Sequence, residues 1–458
     1  MRSLPALVIF ALSVVSPNTA KASTSAAAFQ AKQDTTRRDS TAQTLGRVVI
    51  KEKATKRSGY ATPRSSFATK TDTPLRDTPQ SVSTVNRQLI ADQSMQNMAD
   101  VVRYMPSISM GQGEGHRDAP TIRGNSSTAD FFVDGIRDDA QYYRDTYNLE
   151  RVEALKGSNA MIFGRGGGGG VINRVTKEAG FAPVRSLWLE GGSYDHRRGA
   201  IDVDEPLTSK IAVRLNGMYE NSSGFRDEAS LERSGLNPTL GLAIGPNTTA
   251  RIGYEYFRDH RNVDRGIPSF NGAPSPASLE TFFGNPDVSY ADARVHSASA
   301  TIDHALVSGL TIHNRTRFTH YDKFYQNVFP GGAVNAAGTE VNLSGYNNAQ
   351  TRANLFNQTE ATYALGAGSV RHTLFAGVEV GRQTTDNFRN TGYFADQATS
   401  FPVPFASPTV SMPVSFEQSA TDADNHVVAD VSAVYAQDQF TLSRQCRRSP
   451  AFATSGST

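Results

Sequence analysis

The chain has 458 residues, with 46 Lys and Arg against 44 Asp and Glu and a net charge of +2. That near balance gives no general attraction to nucleic acid. A mean hydropathy of −0.42, with no long apolar run past the N-terminus, excludes a helical membrane protein but not a β-barrel, whose strands alternate lipid-facing and lumen-facing residues. The only cysteine, Cys446, allows neither a disulfide framework nor a thiolate metal site.

In chain order, Arg2, the apolar run LPALVIFALSVV and the A-x-A at Ala20, Lys21 and Ala22 read as a secretory signal over residues 1–22. Residues 23–70 are polar and aperiodic, which predicts a flexible segment. One β-prone island interrupts it: Thr44, Leu45, Gly46, Arg47, Val48, Val49 and Ile50. Residues 71–180 change character. Short strands SVSTV, TIRG, FFVDG, RVEALKG and VINRVT surround a stretch of helical spacing in which Leu89, Met95, Met98, Val101, Val102 and Met105 share a side and Pro106 stops the run. This pattern predicts a small α/β domain.

The glycine run at 166–170 is followed by Val171 and Ile172, not by the G-K-[ST] of a phosphate-binding loop. It is read instead as a turn needing positive φ and close backbone approach. His116, Arg117 and Asp118 lack the other parts of a kinase catalytic set, and neither G-x-S-x-G nor H-E-x-x-H occurs. Nothing here calls for an enzyme or an intrinsic cofactor.

Over residues 181–445 the period becomes two. SLWLEGGSYD and RRGAIDVDEPL read as a hairpin. In KIAVRLNGMYE, Ile211, Val213, Leu215, Gly217 and Tyr219 share one face, with Arg214, Asn216 and Met218 opposite. ARIGYEYFRD, LTIHNRTRFTHYD, NLFNQTEATYAL, RHTLFAGVEVGR and VSAVYAQDQFTLS continue the pattern, giving about ten strands. Residues 446–458 lose all alternation and predict no strand.

The run DFFVDGIRDDAQYYRDTYNLERVEALKGSNAMIFGRGGGGGVINRVTK, with PTIRG before it and period-two segments after it, resembles the plug and first barrel strands of TonB-dependent outer-membrane receptors, most of all catecholate-type ferric siderophore receptors. The resemblance implies an α/β plug followed by an antiparallel transmembrane β-barrel, with about half of a roughly 22-stranded barrel present. It makes the 44–50 island the TonB box, caught by strand addition. No room precedes it for an extra signalling domain, so the expectation is a transporter. It also implies an outer-membrane location, with TonB, its inner-membrane energising complex, a ferric siderophore and outer-membrane lipid as partners, and no nucleic acid. The siderophore coordinates the iron, so no protein metal ligands are expected.

A bulky aromatic anion suits Arg, Tyr and hydrogen-bonding side chains at the plug tips. The candidates are His116, Arg117, Arg137, Gln141, Tyr142, Tyr143 and Arg144, with the loop at 265–283 as a further source of contacts. Arg123, Glu150, Arg151, Glu153 and Arg165 are expected at the plug–barrel interface, with plug arginines meeting barrel carboxylates. Haem, cobalamin or a carbohydrate are alternative cargoes, and a passive porin-like or adhesive barrel is an alternative class.

The tail CRRSPAFATSGST can be back-translated so that a frame one base away reads WQAVAGLRYVRFD, an amphipathic strand. A one-base deletion near the Gln445 codon, giving a truncated and non-functional receptor, is therefore expected. Resequencing the locus tests it: an intact frame downstream is the expected result, and its absence sinks the idea.

Overall fold

The structure, a computed structural model, describes residues 59–65, 67–157, 168–306, 309–367, 370–443, 446–448 and 451–457. The expected signal peptide, the 44–50 island, Arg165, Gly166 and Gly167 lie outside the described residues.

The first part is a small α/β domain. β1 (Arg64–Ser65) and β2 (Thr73–Pro74) form a short pair, and β3 (Ser81–Asn86) leads into α1 (Arg87–Asp92) and α2 (Met98–Val102). Each helix starts on an asparagine whose side chain accepts from a backbone N–H three residues on: Asn86 from Leu89 and Asn97 from Asp100, both at 3.0 Å. β4 (Ile108–Gly111), β5 (Ala119–Ile122) and β6 (Asn125–Ser126) make a three-stranded sheet. β7 (Phe131–Val133), β8 (Ile136–Arg137), β9 (Leu149–Lys156) and β10 (Gly170–Thr176) join β3 in the order β3-β9-β10-β7-β8, with only β10 and β7 parallel.

Both faces of this five-stranded sheet are covered, which explains its unbroken apolar runs. Phe131, Ala154 and Ile172 pack with Met95, Met98, Val101, Val102 and Met105 of the helical region. Their chain neighbours Phe132, Leu155 and Val171 point to the other face, against Phe67 and Ala68. The helical side read from the sequence is thus the covered one.

The second part is one sheet. β11 (Val184–Gly191), β12 (Arg197–Pro206), β13 (Ile211–Ser223), β14 (Ser230–Ala243) and β15 (Thr248–Asn262) follow one another. β16 (Ser269–Phe270) and β17 (Ala273–Pro274) form a hairpin in a loop, and β18 (Tyr290–Ala305), β19 (Leu310–Pro330), β20 (Glu340–Ala367) and β21 (Val370–Tyr393) continue the wall. β22 (Phe401–Pro404) adds to β20 and β23 (Ser415–Glu417) to β21, before β24 (Asp424–Ser443). Every neighbour in the wall is antiparallel. β14 and β18 have no counterpart among the segments read from the sequence. Gly235, Pro238 and Gly241 interrupt the first; Ala and Ser fill much of the second.

The wall is inside-out relative to a water-soluble sheet. In β13, Ile211, Leu215 and Tyr219 are exposed while Arg214, Asn216 and Glu220 are buried. Apolar residues face outward and polar ones toward the plug, the alternation of a membrane-spanning strand.

The expectation that residues 446–458 form no strand is not met. β25 (Cys446–Arg448) and β26 (Ala451–Ser457) both pair with β24. Main-chain pairing needs only N–H and C=O groups, and the edge of β24 offers an unpaired row of them to any sequence nearby. Among the described residues, β11 pairs only with β12, so its other edge is open.

The two ends of the wall differ. Short turns join β12 to β13, β14 to β15 and β18 to β19, whereas residues 263–289, 331–339 and 394–423 form longer loops at the opposite end. Those loops have a core of their own around Phe283, Val328, Leu343, Phe394 and Val403.

Of the described glycines in the run, Gly169 and Gly170 show the expected close backbone approach and Gly170 the positive φ, while Gly168 shows neither. Gly170 has φ +146°, and a Cβ there would lie 2.4 Å from the Leu155 carbonyl oxygen. Gly170→Ala is expected to destabilise the plug by about 1–3 kcal/mol or more, seen as faster proteolysis of residues 71–180 than in the unchanged chain.

Candidate functional site

The segment 136–147 crosses from the plug sheet to the wall, and its charges organise the contact. Arg144 is 1% exposed. Its Nε donates to Asp138 Oδ2 at 3.0 Å and its Nη2 to the carbonyls of Asp138 and Ala140 at 2.8 and 2.6 Å. Nη1 reaches the Tyr142 carbonyl at 3.1 Å and Asp118 Oδ2 at 3.4 Å. The guanidinium lies 3.9 Å from the Phe131 ring centre and 4.4 Å from that of Tyr142.

Asp138 also takes an ion pair from Arg174 and a 2.5 Å hydrogen bond from the Tyr321 hydroxyl of β19. Burial alone would raise its carboxyl, but Arg144 and Arg174, with the Tyr321 hydroxyl, hold it below the usual range. Asp118 has a weaker share of the same cations. Burial prevails there and pushes its carboxyl up to about 6.

Asp145 is the second anchor. Arg198 of β12 reaches its carboxylate at 2.8 Å and Arg233 of β14 at 3.2 Å, and both arginines also pair with Glu220 of β13. Further plug–wall pairs are Asp139 with Arg352 at 2.6 Å, Glu178 with Arg251 at 3.1 Å, Lys177 with Asp202 at 3.1 Å and Lys70 with Glu360 at 3.1 Å.

The expected polarity, plug arginine to barrel carboxylate, is therefore reversed in four of these pairs, made by the three plug carboxylates Asp139, Asp145 and Glu178. Among the interface candidates, Arg151 pairs with Glu153 inside the plug at 2.7 Å, and Glu150 faces Arg87 of α1 at 3.8 Å. Arg123 is exposed in the turn between β5 and β6, at φ +51°. The aspartates of IRDDAQYYRD carry the role instead. Their sequence spacing does not reveal it, because their partners on the wall lie on strands more than 50 residues away.

At the long-loop end the plug and wall enclose a cavity of about 280 Å³. Glu114, His116, Arg117 and Gln141 of the plug line it, together with Lys323, Phe324, Tyr325, Tyr346, Asn348 and Arg389 of the wall. Three of the seven candidate ligand residues are thus brought together. His116 packs on Tyr325 with ring centres 4.2 Å apart. Burial, with Lys323 and Arg117 nearby, holds its imidazole well below its ordinary value, so it is neutral at pH 7. Gln141 donates to Thr128 Oγ1 at 2.9 Å.

The other four candidates do not line the cavity. Tyr142 and Arg144 are buried in the Asp138 cluster, a correction that follows from the need to neutralise buried carboxylates. Burial raises the Tyr142 hydroxyl to about 12. Arg137 lies against Phe132 and bonds the Ala129 carbonyl at 3.4 Å, while Tyr143 donates to the Gln112 carbonyl at 3.0 Å beneath Arg261. Lys323, Tyr325, Tyr346 and Arg389 were not singled out from the sequence; a strand's register against the plug decides which of its inward residues meet a cavity.

A second cavity, of about 780 Å³, lies at the short-turn end. Lys70, Glu150, Arg151, Arg214, Arg251, Arg315 and Glu360 are among its lining residues.

Two family descriptions match the chain, TonB-dependent Receptor Plug Domain over residues 74–171 and TonB dependent receptor-like, beta-barrel over residues 235–447. The chain belongs to the TonB-dependent receptors. It is 28% identical over 396 residues to the probable TonB-dependent siderophore receptor PiuA of Acinetobacter baumannii, covering 81% of this chain and 53% of that protein. It is 28% identical over 418 residues to the catecholate siderophore receptor Fiu of Escherichia coli K12, covering 83% and 53%. The crystal structure of PiuA superposes with a TM-score of 0.76 at 22% identity, over 87% of this chain and 63% of that one. The closed form of Fiu gives 0.76 at 24% identity, over 87% and 59%. These likenesses are to the fold. The chain spans about half the length of these two curated relatives.

Asp145→Ala would leave Arg198 and Arg233 buried against Glu220 alone. It is expected to cost about 3–5 kcal/mol, measured as a lower unfolding temperature and earlier proteolysis of the plug.

Proposed function

We propose that this receptor takes up a ferric siderophore of the catecholate type across the outer membrane, bound in the cavity at the long-loop end. The cavity lining carries the reading. Arg117 and Arg389 supply guanidinium groups, the first paired with Glu114 at 2.8 Å and the second with Asp422 at 3.2 Å, and Phe324, Tyr325 and Tyr346 supply ring faces and hydroxyls. That pairing suits a large aromatic anion. Asp292 also lines the cavity, but Arg258 at 2.7 Å and Arg294 at 2.9 Å already neutralise it. A volume near the lower end of small-molecule cavities, ~300 Å³, fits one lobe of such a ligand or asks the loops to part. The names of the relatives point to the same cargo.

On this reading His116, Arg117 and Gln141 are ligand contacts, and Arg137, Tyr143, Arg123 and Arg165 serve the frame around them. The protein works by conformational change, not catalysis. TonB captures the 44–50 segment by strand addition and pulls, and the plug rearranges to let the ligand pass. Haem, cobalamin or carbohydrate cargo would use the rings and amides with less call for the two guanidinium groups. A passive pore is disfavoured by a plug held to the wall through several ion pairs. The shifted-frame origin of residues 446–458 is a proposal separate from this one. Their pairing on β24 is neutral to it, since main-chain pairing does not depend on side chains.

Deleting residues 44–50 separates the energised from the passive reading. The expected outcome is loss of ⁵⁵Fe-siderophore uptake by cells with surface binding retained; unchanged uptake would overturn the proposal.

A further inference from the structure

The cavity holds a carboxylate of its own. Glu114 sits at the tip of the finger Gly113-Glu114-Gly115, whose three residues all have positive φ, +37°, +55° and +80°. Glutamate has no intrinsic preference for that region, and holding it there costs strain. The finger is propped from outside: a Cβ on Gly115 would lie 2.4 Å from the Asp264 carbonyl oxygen of the loop after β15.

The Glu114 side chain is shared between two cations from different parts of the molecule. One carboxylate oxygen is 2.8 Å from Nη1 of Arg117 in the plug, and the other 3.3 Å from Nη2 of Arg265 in the barrel loop. Arg265 in turn donates to the hydroxyls of Tyr325 and Tyr346 at 2.9 and 3.0 Å and lies 3.5 Å from the Phe329 ring centre. The Tyr325 hydroxyl reaches the Glu114 carbonyl at 3.4 Å. Glu114 thus occupies Arg117 of the cavity lining, and with it Arg265, which holds the Tyr325 and Tyr346 hydroxyls.

We propose that Glu114 is a tethered mimic of the anionic ligand, which the ligand must displace to bind. This rests on the reading of the cavity as the ligand site. Displacement exchanges one carboxylate for another anion on Arg117 and Arg265, so the charge of the site stays matched. It also frees the finger from its left-handed conformation. Because the finger belongs to the plug and Arg265 to the barrel, occupancy changes a contact between the two, which gives the plug a local means of registering ligand. The device also sets specificity, since a neutral complex cannot replace Glu114 on two arginines.

The test uses the full chain folded in detergent, with heat-modifiable migration as the check on each variant, and the ferric complex of 2,3-dihydroxybenzoate as probe. Glu114→Gln keeps the shape and removes the competing charge. It is expected to bind about tenfold more tightly, the scale of one charge acting through a partly hydrated site, with a steeper loss of affinity as salt is raised. Glu114→Asp, which keeps the charge, should stay near the unchanged protein. Arg117→Gln should bind at least about tenfold more weakly. If Arg117→Gln weakens binding while Glu114→Gln leaves it equal or weaker, the mimic is wrong and the cavity assignment survives. If neither substitution changes binding, the cavity assignment falls, and the mimic with it.

Discussion

Carboxylates taken out of water between the plug and the wall fix how the two parts meet. Asp138, neutralised within the plug by Arg144 and Arg174, takes the Tyr321 hydroxyl of the wall, and Asp145 takes its two cations, Arg198 and Arg233, from the wall. Burying such groups is unfavourable unless every partner is in place, so a shifted plug would leave charges stranded. The arrangement therefore buys position more than stability. Apolar contact crosses the same seam: Tyr142 and Tyr147 of the plug pack with Met218, Phe257, Val295 and Tyr321 of the wall, and Ile136 packs with Phe356 and Val431.

With the plug fixed this way, the ends of the wall acquire different characters. The short-turn end holds a large charged cavity beside Lys70 and Glu360, close to where the chain enters the plug. The long-loop end holds the smaller cavity with rings and cations. Segment 136–147 lies between plug sheet and wall, and the finger at Glu114 reaches the barrel loop at Arg265.

Much of the architecture was legible in the residues because it depends on local period. FFV and VINRV are continuous apolar runs, and the sheet they form is covered on both faces. Ile211, Leu215 and Tyr219 alternate with Arg214 and Asn216, and they face outward. In β14 and β18 glycine, proline and small residues blur the alternation, although both strands pair with two neighbours, β14 with a break toward β15 at Asn237 and Pro238. Pro238 has no N–H to give, and the side chain of Asn237 donates to the Tyr254 carbonyl at 2.7 Å beside it.

The sequence by itself determined the order of domains, the two faces of each strand, the covered side of the helical region and the residue types from which a site could be made. Each of these follows from neighbours along the chain. Only the tertiary structure decided which charged residues serve as struts and which face the cavity. Arg144 and Arg117 look alike in the sequence, yet one is enclosed by Asp118 and Asp138 while the other opens onto Lys323 and Tyr325. Desolvation and pairing depend on strands brought together from far along the chain, and no local pattern encodes that register.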